Sequence, residues 1–436
     1  MWDLKLDTRR LADGFSTSVL WERPDVLWNK ADDWWNDNYV TDSNTAAFLS
    51  ATGIIDPNKQ NYVNNLVIAL KNQGLWNKMK AIYPFVSEQR NLLNNTDTFS
   101  GWSLESGVLT SGFTDPLGGT TAYKYRNSST GPGLFAGQTF TEASTTYTQS
   151  IWVKSVSGAN VTFILGSGSS TLGNASLTAT GTWQRVTNTT TFDAGGSIYI
   201  RNISDTTNGI YIWHPQVELG NLTDYQVTIN AQEQFAAAYK YNLKDPQDTD
   251  AAFRLKIFGT WTFTPTGAKP NGTNAYMDTN LNDNTSLNLN DIHFSVYLRT
   301  NSDGTKVDLG LYNTGSQGVN IFTRLGNLQY TRLHEDDQAT VATTDSRGFR
   351  LGIRNSSTAK NVFINNTKTS LTSNSNNKTN GNIYLAANNN ISISTAIQFS
   401  DRENAFSSIG EGLTDAEAAA LYTIVQQFQT SMARQV

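Results

Sequence analysis

A strand that lacks a continuation where the chain next runs constrains this sequence more than any other feature. Residues 79–86 (MKAIYPFV) read as an apolar strand about to enter a sheet. The stretch suited to follow it stands far downstream, at residues 239–258 (YKYNLKDPQDTDAAFRLKIF). Between them, residues 88–228 are strand-length runs separated by Gly, Asn, Ser and Thr, spaced as in an all-β sandwich. The expectation is one β-sandwich inserted into the first strands of another.

A chain of 436 residues has room for two or three domains with cores of their own. Charged residues make up only 16%, against about 25% in an average soluble protein, and 11% aromatics with regular alternation supply a core, so the composition is not that of a disordered chain. The net charge of −5, with no basic tract, leaves no electrostatic footprint for a nucleic acid. Cysteine is absent, which excludes disulfides and any thiolate zinc site. Met1 is followed by WDLKLDTRR rather than a charged-then-apolar leader, so no secretory signal is expected. No apolar window approaches the ~18 residues of a membrane-spanning helix, so no membrane insertion is expected either.

Residues 1–40 hold five tryptophans, Trp2, Trp21, Trp28, Trp34 and Trp35, too many indoles for so short a segment to bury alone. The segment reads as an arm that packs on the following domain, on a sister subunit or on a larger assembly, and the five indoles are the candidate docking residues. Residues 41–80 are helical: Thr41, Asp42 and Ser43 offer caps, and Asp56-Pro57 places a capping carboxylate before a proline at the first helical position. Tyr62, Val63, Leu66, Val67 and Leu70 then form one apolar face, and Gly74 ends the helix. Near the C-terminus, Thr414 and Glu417 spell a capping box, followed by an inward face of Leu421, Ile424, Val425 and Phe428, predicted to seal one end of a sandwich.

Two resemblances follow from particular residues. The opening NLLNNTDTFSGW, the middle YTQSIWVKS and TWQRVT, and the closing YIWHPQVELG resemble the jelly-roll carbohydrate-binding modules found in bacteriophage adhesins and related surface proteins. The portion with NVFINNT and LTDAEAAAL, joined to residues 75–86, resembles the concanavalin A-like or laminin-G-like sandwiches of phage structural proteins. The expected fold is therefore mainly β: a jelly roll inserted into a concanavalin A-like sandwich, with a short helical N-terminal region and a C-terminal helix. The expected division is a Trp-rich arm at 1–40, a helical segment and first strand at 41–87, the inserted jelly roll at 88–228 and the remainder of the outer sandwich at 229–436.

Glycosidic hydrolysis needs two carboxyl groups about 5 to 9.5 Å apart in a cleft, and no E-x-D-x-x-E pattern supplies them. The nearest acidic run, Glu335, Asp336 and Asp337, reads as a solvated loop. His214, His293 and His334 stand far apart and read as structural or surface residues, and no G-x-S-x-G elbow precedes a helix. Sugar binding asks for less: an exposed aromatic face beside hydrogen-bonding groups. Trp102, Trp152, Tyr211 and Trp213 are the candidates. Alternation sets Ile151 and Val153 against Trp152, and Ile210 and Ile212 against Tyr211 and Trp213, but does not say which side is core. No cofactor is required; the resemblance implies at most a structural calcium near the junction of first and last strands, where Asp97 and Glu218 are oxygen-bearing candidates.

Three functions stand open on these residues. One is a non-enzymatic bacteriophage virion protein, a tail fibre, spike or capsid decoration that contacts host surface carbohydrate and docks to other virion proteins through its N-terminal arm. The second is a structural connector without glycan binding, and the third a glycan-cleaving enzyme, which the carboxylate census disfavours. Fibres and spikes of this kind are often trimers, but no heptad or β-helical repeat here specifies an oligomer.

Overall fold

The computed structural model describes residues 3–5, 20–22, 41–127, 133–136, 145–166, 173–192, 197–226, 228, 230–313, 317–335 and 339–436. Contacts divide the chain into Met1–Asp42 and Ser43–Val436. In the first unit, Asp3–Lys5 pairs antiparallel with Leu20–Glu22, with Leu4 opposite Trp21. The side chains of the five N-terminal tryptophans lie outside the described residues.

The second unit is mainly β and contains two sandwiches. The larger sets a sheet ordered Trp261–Thr264, Gly267–Pro270, Asn404–Gly410, Ile292–Leu298, Gly348–Arg354, Ala359–Ile364, Thr367–Thr372 against one ordered Lys256–Phe258, Tyr276–Asn282, Asn382–Leu385, Leu309–Asn313, Gln317–Leu325, Leu328–Leu333, Ala339–Ala342. Ile292, Phe294 and Val296 from the first meet Met277, Leu309, Leu311, Val319 and Ile321 from the second in one buried cluster. The other face of the first sheet is buried too. Tyr297, Phe349, Leu351 and Ile353 pack there against the helices Pro57–Asn72 and Asp415–Ser431 through Val63, Leu66, Val67, Leu70, Leu421, Ile424, Val425 and Phe428. The C-terminal helix thus covers a sheet face rather than sealing an end, because its apolar stripe finds a second helix to share that face with. Three layers result, helix on sheet on sheet.

The helix signals act locally as read. Asp56 is the N-cap of Pro57–Asn72, accepting from the amides of Asn58 (2.8 Å) and Lys59 (3.3 Å). Gly74, at φ +70, lets the Leu75 amide turn back to the Leu70 carbonyl. Thr414 and Glu417 form the reciprocal capping box.

Met79–Tyr83 pairs with Asn404–Gly410. On its other side, the Ile82 amide donates to Asn242 Oδ1 (2.9 Å), the Leu243 amide to the Ile82 carbonyl (2.8 Å) and the Tyr83 hydroxyl to the Phe253 carbonyl (2.7 Å). Phe85 then takes a left-handed φ of +48 as the chain departs. Buried Arg434 holds that bend, donating to the carbonyls of Pro84 (3.0 Å) and Phe85 (2.7 Å).

The second sandwich sets the sheet Ala175–Ala179, Val161–Gly166, Tyr199–Arg201, Leu134–Phe135, Ser103–Leu104 against the sheet Gln184–Phe192, Thr145–Ser155, Ile210–Leu219, Ala122–Arg126, Val108–Phe113. Its core, which includes Leu93, Tyr125, Ile151, Val153, Phe163, Ile200, Ile210, Ile212 and Val217, draws only on residues 92–217.

One sequence reading of a single residue is corrected. Glu335 is not solvated: it is 1% exposed and paired with the buried Arg354 and Lys360. Those cations lie on neighbouring strands of the opposite sheet, so the carboxylate is drawn inward by charges that local sequence does not display. Asp336 and Asp337 lie outside the described residues. His293 and His334 are both buried and bonded. The first contacts the Glu411 carbonyl (2.6 Å) and Ser408 Oγ (3.1 Å), the second the Leu289 carbonyl (2.9 Å) and Asp283 (2.7 Å).

Candidate functional site

The parity left open by the sequence resolves in the smaller sandwich. Ile151, Val153, Ile210 and Ile212 are fully buried between its sheets, so Trp152, Lys154, Tyr211 and Trp213 belong to the outer face. Register brings them together: Trp213 lies opposite Trp152, and Tyr211 lies opposite Lys154 on one side and Lys124 on the other. Trp152 and Tyr211 are half-buried, and Trp213, only 7% exposed, is the floor. Trp152 meets Trp213 edge-on at 6.4 Å, while Tyr211 contacts Phe113 (5.1 Å) and Trp183 (6.3 Å). The turn after Ile210–Leu219 covers the far end of this face. There Arg185 donates to the Thr223 carbonyl (2.7 Å) and Ser150 Oγ (3.0 Å).

A cleft of about 380 Å³ adjoins, lined by Asp97, Thr98, Ser111, Gly112, Thr120, Thr121, Tyr123 and His214. His214 enters it through a bulge: the ladder to Thr145–Ser155 shifts register between Trp213 and Gln216, and His214 takes φ +51. The following Pro215 has no amide to give the ladder, so the strand breaks step there. The imidazole is sandwiched between Trp213 (centroids 3.2 Å, 18°) and Tyr225 (3.7 Å, 13°).

Both of the cleft's ring donors converge on one oxygen. Asp97 Oδ1 receives the Tyr225 hydroxyl (2.6 Å) and lies 3.0 Å from His214 Nε2. The hydrogen bond from His214, and after it that from Tyr225, hold the Asp97 carboxyl below its usual range although partial burial opposes them. Burial first, then the hydrogen bond to Asp97, drive the Tyr225 phenol upward, so it remains a donor. Asp97 Oδ2 accepts no hydrogen bond from the described residues and, on a side chain 39% exposed, is open to a ligand hydroxyl.

The cleft's rim is held by a relay. Trp213 Nε1 donates to Thr121 Oγ1 (2.8 Å), which donates to Asp115 Oδ2 (2.7 Å). Asp115 also accepts the amides of Leu117, Gly119 and Thr121, and these bonds hold its carboxyl low against the opposing effect of burial. A Cβ at Gly119 would stand 2.5 Å from Asp115 Oδ2, so a larger residue there would have to displace that carboxylate.

Two of the sequence candidates stand elsewhere. Trp102 packs edge-on against Phe99 (4.9 Å) at the border of the core and donates Nε1 to the Asn94 carbonyl (2.8 Å), so it does not join the aromatic face. Glu218 is 2% exposed and is satisfied by the Thr223 amide and hydroxyl. Among the described residues, no group of three or more His, Cys, Asp or Glu is placed to hold a metal ion. Conversely, nothing in the local sequence singles out Tyr225, Thr121, Asp115 or Trp183, and His214 reads there only as a structural or surface residue. Pro215 inside an otherwise regular strand was the available signal for the bulge.

No protein-family model matches the sequence, and no curated protein matches it. Among solved structures, the chain is similar to the CBM22-1–GH10 modules of endo-1,4-β-D-xylanase 10B from Clostridium thermocellum, complexed with xylohexaose, at 16% identity over 31% of this chain and 29% of that one, TM-score 0.24. It is also similar to a carbohydrate-binding module of lichenase 5A from Cellvibrio mixtus, in complex with cellotriose (14% identity, 30% and 97% covered, TM-score 0.22). A third likeness is the binding domain of botulinum neurotoxin serotype D (8% identity, 40% and 47% covered, TM-score 0.29). The first structures it matches are spanned over only 29 to 48% of their length. Likeness this distant says nothing about ligand, and the sandwich architecture stands on the strand pairing itself.

Proposed function

We propose that the smaller sandwich binds a saccharide, seated on the outer aromatic face with one end in the Asp97 cleft. The observation that supports this most is the half-exposed Tyr211–Trp152 surface, which lies on the side of the sheet turned away from the core and adjoins a carboxylate oxygen free to accept a hydroxyl proton. Aromatic faces take the apolar side of a pyranose, and a few placed acceptors and donors fix its orientation. Thr98, Ser111, Thr120 and Thr121 add hydroxyls around the cleft.

The reading extends to a non-enzymatic surface protein of a bacteriophage particle, exposed at the virion surface and contacting host carbohydrate, with residues 1–40 docking it to other virion proteins. Its support is the Trp-rich arm, the cysteine-free β architecture and the family resemblance of the sequence. Detection of the chain on purified particles, and its loss from them when residues 1–40 are deleted, is the corresponding test.

For the saccharide itself, titration calorimetry of the full chain against a panel of oligosaccharides is expected to find at least one ligand, with W152A and Y211A each weakening it about tenfold, the share of one aromatic contact. Near-ultraviolet circular dichroism establishes that the variants remain folded. A wild-type chain that binds no member of the panel, or variants that bind unchanged, would overturn the proposal and favour a structural connector.

A further inference from the structure

We infer that the ligand of this face is an acidic saccharide, one carrying carboxylate or sulfate groups; the inference rests on the saccharide-binding reading above and narrows it. It starts from cations without partners. In and around the larger sandwich many basic side chains are engaged, among them Lys78 with Glu417, Lys240 with Asp248, Arg254 with Asp248 and Asp250, Arg299 with Glu403 and Lys306 with Asp401, although the exposed Lys269 is not. On the outer face of the smaller sandwich, Lys124 and Lys154 make neither an ion pair nor a hydrogen bond to any described residue, in a chain whose net charge is −5.

Their placement is specific. Lys124 and Lys154 are the two residues directly opposite Tyr211 on its neighbouring strands, so one ammonium stem stands on each side of the exposed ring. Strand spacing puts the two stems roughly 10 Å apart, a span that one or two sugar residues bridge. Both side chains are half-buried, as expected for a lysine whose apolar stem packs on the surface while its ammonium stays in water. Arg126, two residues along from Lys124 on the same face and exposed, adds a third cation without a partner among the described residues.

None of the nearby carboxylates forms an ion pair with this group, although each keeps its charge; Asp97, with Oδ2 open at the cleft end, takes a hydroxyl of the saccharide rather than its anionic group. Asp115 is saturated by the amides and hydroxyl of its own turn, Glu218 by Thr223, and Asp205 by the Thr207 and Asn208 amides. Glu218 and Asp224 act on Arg185 at the covered end of the face. What remains is an aromatic platform for a pyranose, with a lysine directly opposite Tyr211 on each neighbouring strand. A neutral sugar would leave those charges idle. A uronate or a sulfate ester would pair with them, and the pair would be screened by salt.

The test compares neutral dextran, dextran sulfate and alginate oligomers as ligands of the full chain by calorimetry. The expected result is at least tenfold tighter binding of dextran sulfate or alginate than of neutral dextran, with the preferred one separating sulfate from uronate recognition. K124Q and K154Q are each expected to weaken acidic binding about 2- to 5-fold, and together about tenfold, the range of single exposed charge pairs. The preference should shrink as NaCl rises from about 0.05 to about 0.5 M. K368Q, far along the chain, is the control. Equal binding of neutral and acidic ligands, lysine variants without effect, or a K368Q loss as large as theirs would overturn the acidic specificity. Loss of binding in W152A and Y211A with K124Q and K154Q silent would sink this inference while the saccharide platform stands; no binding of any ligand by the wild type would sink both.

Discussion

Two histidines, one open to the cleft and one sealed in the core, mark what single residues do here. His214 is ordered by stacking and by Asp97, whose carboxyl the imidazole holds low. A carboxyl lowered from 3.8 in the folded state stabilises the fold above that value and loses its contribution as pH falls through the lowered one. D97N is therefore expected to melt slightly below the wild type at neutral pH, with the gap closing under strong acid, as read by thermal denaturation across pH. His293 behaves oppositely. Burial pushes its imidazole down to about 4, against the lesser pull of the Glu411 carbonyl, so the folded chain keeps it neutral where the unfolded chain protonates near 6.5. Stability should fall as pH drops from about 6.5 to about 4 and then stop falling on this account. That displacement, from 6.5 to about 4, corresponds to a loss of about 3 kcal/mol. Urea midpoints measured over that range should show the slope in the wild type and a flatter one in H293Q.

At the scale of elements, strands of the larger sandwich are joined across its sheets by charge as well as by apolar packing. Glu335 follows Leu328–Leu333 in one sheet, whereas Arg354 ends Gly348–Arg354 and Lys360 lies in Ala359–Ile364 of the other. Arg354 also donates to the carbonyls of Leu333 (2.6 Å), Ser373 (2.9 Å) and Ser356 (3.2 Å). Removing the carboxylate alone leaves two cations buried without their anion, and E335Q is expected to cost about 3–5 kcal/mol, read from the urea midpoint. None of this was legible at the run Glu335-Asp336-Asp337, because the residues that turn it inward are separated from it by whole strands. Local signals were read correctly where cause and effect are neighbours: Asp56-Pro57 starts a helix, and the Thr414–Glu417 box starts another. The strand alternation at 150–154 and 210–213 gave two faces, yet both carry large apolar side chains. Only the partner sheet shows that Ile and Val point inward and Trp and Tyr do not. The site was legible in part: Trp152, Tyr211 and Trp213 stand out in the sequence as aromatic candidates and Asp97 as an oxygen-bearing one, but the bulge that delivers His214 is a tertiary event signalled only by Pro215.

For the whole second unit, the useful question is how far the two sandwiches depend on one another. Neither buried cluster of the larger one contains a residue between Val86 and Phe235, and the cluster of the smaller one draws on none outside 92–217. What crosses is a polar neck. Buried Asn91 donates to the Gln226 carbonyl (3.0 Å) and accepts from the amides of Leu93 (3.2 Å) and Val217 (3.3 Å), tying incoming to outgoing chain. Gln234, on the helix Ala231–Tyr239, donates to the Asn91 carbonyl (2.9 Å) and accepts from the Arg90 amide (3.2 Å). Hydrogen bonds of this kind contribute about 1 kcal/mol each, far less than a core supplies. The chain on either side of the neck also meets without the insert, since Met79–Tyr83 bonds Asn242, Leu243 and Phe253 directly. Residues 88–228 expressed alone are therefore expected to fold cooperatively, and the chain with 88–228 replaced by a short Gly/Ser linker should keep a urea midpoint close to that of one of two transitions of the full protein, the isolated insert matching the other. Two fragments with β-sheet circular dichroism and sharp single transitions would bear this out. A fragment that is unfolded or aggregates while the full chain is soluble would show that the neck is part of a shared core, and that the smaller sandwich cannot be treated as a binding module in its own right.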